Sequence, residues 1–222
     1  MTTDTSEKGL EALIVRSLID EASYVTGHSK DFDRDHAVDL ATLFDFLNAT
    51  QPEAVEALCI GADGPKRLQF LHRLQGEIAK RGVIDVLRNG VKHGPGSVEL
   101  FFGTPTPGNA KAEALFAANI FSVTRQLHYS KDATKLSLDV AVFINGLPVA
   151  TFELKNSLTK QTVEDAIEQY KRDRDPKELL FQFGRCVVHF AVDDHEVRMC
   201  THLKGKASWF LPFNKGWNDG AG

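Results

Sequence analysis

The sequence predicts a mixed α/β fold, a central mixed β-sheet flanked by helices and preceded by a mainly helical amino-terminal portion. Three observations predict it. Apolar residues recur at helical spacing through most of the first 95 residues. From Ser97 the texture changes to apolar or alternating runs bounded by Gly and Pro, the pattern of strands. A further helical stripe from Thr162 to Arg172 interrupts those strands. The 222 residues suffice for one large domain with a sizeable core. With 42% hydrophobic and 25% charged residues, disorder, collagen and coiled coil are set aside.

Taken in order, Leu10, Leu13, Ile14 and Leu18 mark an opening helix from Glu7 to Glu21, with Thr5 or Ser6 able to cap it. Val38 to Leu47 is again helical in period, and Gln51-Pro52 begins a short helix ending near Gly61. Gly64-Pro65 opens a helix carrying Leu68, Leu71, Leu74 and Ile78 that stops at Gly82. Strands are then expected around Val98, Ile120, Leu138, Val149 and Cys186, all in the central sheet, with a short Ala-rich turn of helix before Ile120. Asn145-Gly146 is a strong hairpin signal because both residues tolerate positive φ. The Thr162 to Arg172 helix buries Val163, Ala166, Ile167 and Tyr170, and a second hairpin turns at Asp193-Asp194. This divides a single domain into a helical portion, 1–95, a sheet core, 96–213, and a small polar tail, 214–222.

Composition narrows the function. No window approaches the roughly 20 apolar residues of a membrane span, and the polar start Met1 to Lys8 has no apolar region behind it. A cytoplasmic address with no membrane partner is expected. Cys59, Cys186 and Cys200 are too few and scattered for a disulfide framework, and read as buried thiols. A formal charge of −4 argues against holding nucleic acid by bulk electrostatics alone, although a divalent metal can reverse the sign of an acidic cleft locally.

The chemistry concentrates in Leu138 to Asn156, where Asp139, Glu153 and Lys155 interrupt otherwise apolar strands. Burying unpaired charges is costly, so they either pair with one another or serve a metal. Two carboxylates can hold Mg²⁺ through hard oxygen ligands, and a lysine can position or activate a water for phosphodiester hydrolysis. Of the two (D/E)-x-K tripeptides in the chain, Asp175-Pro-Lys177 lies in a charged loop, and Glu153-Leu-Lys155 alone sits in an apolar strand. On spacing alone, a buried ion pair between Lys155 and a carboxylate fits as well. Parity adds a condition. A regular ladder from a two-residue Asn145-Gly146 loop would pair Asp139 with Phe152 and put Glu153 on the other face. A three-residue loop with Gly146 in a bulge pairs Asp139 with Thr151 and returns Asp139, Glu153 and Lys155 to one face.

This order of residues resembles the PD-(D/E)XK nuclease core in the amino-terminal region of the restriction (motor) subunit of type I restriction enzymes. The resemblance extends to Arg81 to Arg88, Asp165 to Lys177, Phe181 to Val192, Phe210 to Gly216 and the opening helix, nearly the whole chain. It implies that Asp139 and Glu153 bind the metal with the backbone carbonyl of Leu154, and that Lys155 is the catalytic lysine. An acid of the first helix also lines such sites; Glu11 is the better candidate and Glu7 the second. Related nucleases carry Gln-x-x-x-Tyr on the helix after the lysine. Gln169 matches the glutamine, but Asp173 stands where the tyrosine belongs, and Tyr170 reads as core.

The resemblance further implies Mg²⁺-dependent cleavage of double-stranded DNA, with ATP and S-adenosylmethionine used only by the complete enzyme. Its partners would be modification and specificity subunits and motor domains beyond residue 222. The competing reading is a catalytically silent DNA-binding or docking module of the same fold. Other motifs are weaker. Cys186, His189, Cys200 and His202 hint at zinc, but residues three apart on a strand point to opposite faces. Gly61 to Arg67 lacks the spacing of a phosphate loop. Lys171, Arg172, Arg174 and Lys177, interleaved with Asp173 and Asp175, read as a solvated charged turn.

Overall fold

Apolar faces dictate two layers of helix on one sheet, and the computed structural model of the protein, which describes residues 7–214, has that architecture. The chain runs α1 (Glu7–Asp20), β1 (Val25–Thr26), β2 (Phe32–Asp33), β3 (Val38–Asp39), α2 (Leu40–Thr50), α3 (Pro52–Ala57), α4 (Pro65–Arg81) and α5 (Val83–Asn89). Next come β4 (Val91–His93), β5 (Gly96–Val98), α6 (Ala110–Ala117), β6 (Phe121–His128), β7 (Ser137–Ile144) and β8 (Leu147–Leu154). The chain continues through α7 (Val163–Arg172), β9 (Val188–Val192), β10 (Val197–Cys200) and β11 (Leu211–Pro212). The proposed Thr5 or Ser6 cap, and the tail from Lys215, lie outside the described residues.

The main sheet has seven strands in the order β1-β6-β7-β8-β9-β10-β11. It is mixed: β1 lies parallel to β6 and β8 parallel to β9, while the other neighbours are antiparallel. A parallel pair needs a crossover, and α7 supplies it between β8 and β9. Thr162 and Asp165 close a reciprocal capping box at its start, and Val163, Ala166, Ile167 and Tyr170 are buried. Burying Val163 and Ile167 alone contributes roughly 3–6 kcal/mol. On the opposite face α1 lays Leu10, Ile14, Val15 and Leu18 against Val123, Val140, Val142 and Leu154.

A second core lies in the helical portion, where Phe46, Phe70, Leu74 and Ile78 pack with Val86 of α5. Gly82, at φ +81°, ends α4 and lets α5 start at once, a helix without its own punctuation in the sequence. Leu147 of β8 belongs to the same cluster, so the helical portion grips the end of the β7–β8 hairpin.

Two expectations are corrected. Val98 is not in the central sheet: β4 and β5 form a separate two-stranded hairpin, because the segment is only three residues long and turns back at Gly94. Cys59 is exposed, as the residue at φ +55° after α3, whereas Cys186 and Cys200 are buried thiols.

Candidate active site

The β7–β8 hairpin positions the acidic pair. Its turn is a regular two-residue one: Ile144 pairs with Leu147, and Asn145 and Gly146 have φ of +50° and +83°. The expected three-residue loop is therefore wrong, for a packing reason. The Asn145 side chain is buried, donating to Leu100 O (2.9 Å) and Asn119 Oδ1 (3.0 Å) and accepting from Ile120 N (2.6 Å). A Cβ on Gly146 would come 2.5 Å from Asp39 O and 2.7 Å from Leu43 N. Those contacts leave no room for a wider loop.

The odd residue is absorbed further along. Phe143 pairs with Pro148, but Val142 pairs with Ala150, so Val149 is extra, a β-bulge. Beyond it Ala141 faces Thr151 and Val140 faces Phe152, and the next step of this ladder sets Asp139 against Glu153 rather than Thr151. The two carboxylates thus share a face, and Lys155, two residues on, has the same parity. It is the α7 face, since Thr151 Oγ1 hydrogen-bonds Tyr170 Oη at 2.8 Å.

Glu153 is completely buried. Its Oε1 accepts from Arg174 Nε at 2.6 Å, while Oε2 is buried with no hydrogen-bond partner. Burial, reinforced by the charge of Asp139, pushes its pKa up to about 7 against the opposing pull of Arg174 and Lys155. Burial works against the Arg174 cation too, but the hydrogen bond and charge of Glu153 outweigh it and raise its pKa. The arginine stays charged, and the acid titrates near neutrality.

Asp139 is half-buried and accepts from Leu154 N at 2.8 Å through Oδ2 and from Gln126 Nε2 at 3.3 Å through Oδ1. Leu154, whose carbonyl is a candidate ligand, is fixed by that bond. Lys155 is half-buried, with its backbone N–H on Val192 O at 2.8 Å. Glu11 is buried although it comes from α1, on the other side of the sheet. It pairs with Arg125 Nε and accepts from Gln126 Nε2 at 2.9 Å, so one amide group joins Glu11 to Asp139. The Glu7 side chain lies outside the described residues. Gln169 is half-buried on α7 and is not among the groups seen bonding Glu153 or Asp139, which are Arg174, Gln126 and Leu154 N.

Two residues here were not singled out as site residues from the sequence. Arg174 is 4% exposed, which corrects its reading as part of a solvated turn. Asp173 and Asp175 on either side are exposed, so a linear pattern of alternating charge hid an inward-facing guanidinium. Gln126 has φ +47° inside a strand, a rare conformation for a side chain without special tolerance for it. Its Oε1 accepts from Ser137 Oγ at 3.1 Å, which turns the amide nitrogen toward the carboxylates.

A hard divalent cation fits this arrangement. Glu153 Oε2 is a buried acceptor lacking a partner, and such atoms call for an explanation. Among the described residues there is no group of three or more His, Cys, Asp or Glu placed to hold a metal. Asp139, Glu153 and the Leu154 carbonyl are hard oxygen donors, the kind that suits Mg²⁺, which keeps several waters. Zinc is not favoured: His189 Nδ1 shares a hydrogen bond with Thr151 Oγ1 at 2.7 Å, and Cys200 Sγ donates to His202 O.

Comparison with known proteins supplies the context. Over 80 residues the chain is 31% identical to a Methanocaldococcus jannaschii protein named as a type I restriction enzyme endonuclease subunit. That match takes in 36% of this chain but 7% of the relative, so it reaches only a small part of a much longer protein. A family model describing the type I restriction enzyme R protein N terminus matches residues 4–208, and the site lies wholly inside that span. Both the carboxylate pair and the sheet that carries it are thus features of a chain that belongs to the type I restriction enzyme R protein N-terminal family.

Proposed function

We propose that this chain is the Mg²⁺-dependent nuclease module of a type I restriction enzyme R subunit, with a PD-(D/E)XK core, hydrolysing phosphodiester bonds of unmodified double-stranded DNA in the cytoplasm. The observation that carries the reading is the pair of opposed carboxylates, one with a buried oxygen left unpartnered. Asp139, Glu153 Oε2 and the Leu154 carbonyl would hold the cation. When bound, Mg²⁺ supplies Lewis-acid polarisation of the phosphodiester and lowers the pKa of the attacking water.

The protein's own groups do the rest. Lys155 orients the nucleophilic water and offsets negative charge that develops on the phosphate. Glu153, pushed toward neutral pH by burial, would be held ionised beside a bound cation. Glu11, acting through the Gln126 amide, fixes the direction of Asp139. Gln169, half-buried on α7, would contact DNA at the edge of the site. Cleavage would depend on motor domains elsewhere in the polypeptide, and on modification and specificity subunits that deliver unmodified DNA. ATP and S-adenosylmethionine would bind those parts.

One observation favours a second reading, a silent docking or DNA-binding module: Glu153 already has a buried cationic partner in Arg174. Cleavage by the assembled enzyme separates the two. Asp139→Ala and Lys155→Ala should each lower DNA cleavage by at least 100-fold while ATP-driven translocation and folding persist. Near-normal cleavage by either variant would refute the assignment.

A further inference from the structure

Arg174 differs from every charged residue beside it. Arg172, Asp173 and Asp175 are exposed, whereas Arg174 is buried just past the end of α7. Each of its three guanidinium nitrogens donates a hydrogen bond. Nε donates to Glu153 Oε1 at 2.6 Å, Nη2 to Ser137 O at 2.8 Å and Nη1 to Tyr129 Oη at 3.1 Å. The group also lies 5.5 Å from the centre of the Tyr129 ring. It therefore ties β8 to the start of β7 and to the residue just after β6.

The manner of its contact with Glu153 is informative. An arginine present only to neutralise a carboxylate does best in a bidentate fork, with two parallel N–H bonds to both oxygens. Here the fork is divided. One nitrogen holds one oxygen, the other two bind the flanking elements, and Glu153 Oε2 is left without a partner although fully buried. Buried acceptors are rarely left in that state without a further ligand. We propose that Arg174 is the positioning residue of Glu153: by holding Oε1 alone, it fixes the carboxylate so that Oε2 faces the divalent cation. The inference rests on the reading of Asp139 and Glu153 as a metal site. Arg174 itself touches neither substrate nor metal.

The test is calorimetric titration of Mn²⁺ alone into the whole 222-residue chain, comparing wild type with Glu153→Gln, Arg174→Met and Arg174→Lys, with folding followed by circular dichroism. Wild type should bind Mn²⁺ in a manner lost in Glu153→Gln. Arg174→Met should bind at least tenfold more weakly, and Arg174→Lys should recover part of that loss, because one ammonium can bond Oε1 but cannot also span Tyr129 and Ser137. A folded Arg174→Met with wild-type affinity overturns the proposal alone. If Arg174→Met does not fold, Arg174→Lys decides: an affinity at least threefold below wild type supports the proposal, and an unchanged one overturns it. Should wild type show no Mn²⁺ binding that Glu153→Gln removes, the metal reading fails and this inference with it.

Discussion

Two buried residues on neighbouring strands oppose each other in their response to pH. Glu153 is raised from the ordinary 4.5 to about 7, so the folded chain keeps a proton that the unfolded chain releases. Its contribution to stability is full below pH 4.5 and is lost as pH rises through 7, about 3 kcal/mol in all. His189 is depressed from 6.5 to about 3, so its contribution is full above pH 6.5 and lost as pH falls. Between pH 4.5 and 6.5 the two slopes, each about 1.4 kcal/mol per pH unit, have opposite signs and cancel. In chelator, urea unfolding across this window should show wild type nearly flat with respect to these groups. Glu153→Gln should gain stability as pH rises, and His189→Gln should lose it. Leaving Arg174 unpaired lowers the absolute stability of Glu153→Gln at every pH, so the slope is the measurement that matters. Equal slopes in all three proteins would contradict the burial argument. Sequence reading found Glu153 because a charge inside an apolar strand is visible in one dimension. It missed Arg174 because the turn that brings it inward is made by contacts with Tyr129 and Ser137, far away in the chain.

At the scale of elements, the strand expected around Val149 is β8, Leu147 to Leu154, but its ladder is not legible. The Asn-Gly turn and the shared face of the carboxylates both hold, but the extra residue sits at Val149 instead of in the loop. A signal for it exists. Pro148 cannot donate to a ladder, and proline in a central strand is tolerated at a bulge. Val98 was misplaced because a three-residue strand leaves the same apolar trace whether it joins the main sheet or a separate hairpin. The bulge makes a prediction. Val149 is the surplus residue, so deleting it should give a regular ladder with Asp139 still opposite Glu153, and Mn²⁺ affinity within about threefold of wild type. Inserting one alanine between Pro148 and Val149 should turn Glu153 toward α1 and abolish binding. The partial burial of Val149 makes the deletion cost roughly 1–3 kcal/mol in unfolding experiments. A folded insertion variant with intact Mn²⁺ binding would show that register does not set the site.

The whole molecule is acidic, with 26 Lys and Arg against 30 Asp and Glu. Most non-specific affinity for DNA comes from phosphate neutralisation and counterion release, which such a surface supplies poorly. A labelled duplex titrated with this chain in Ca²⁺ at physiological salt should bind with a dissociation constant weaker than about 1 μM. Nanomolar binding would mean that the chain carries its own recognition surface. Weak binding would agree with the proposed delivery of DNA by partner domains and subunits. The claim on which the account turns is that the buried oxygen of Glu153 and the carboxylate of Asp139 share one divalent cation. Anomalous diffraction from crystals of the chain grown with Mn²⁺ tests it most directly. Shared coordination predicts a single strong peak between Asp139 and Glu153 Oε2, within coordination distance of both, with Arg174 still on Oε1. No peak there while manganese binds elsewhere, or Glu153 swung round to place both oxygens on Arg174, would contradict it.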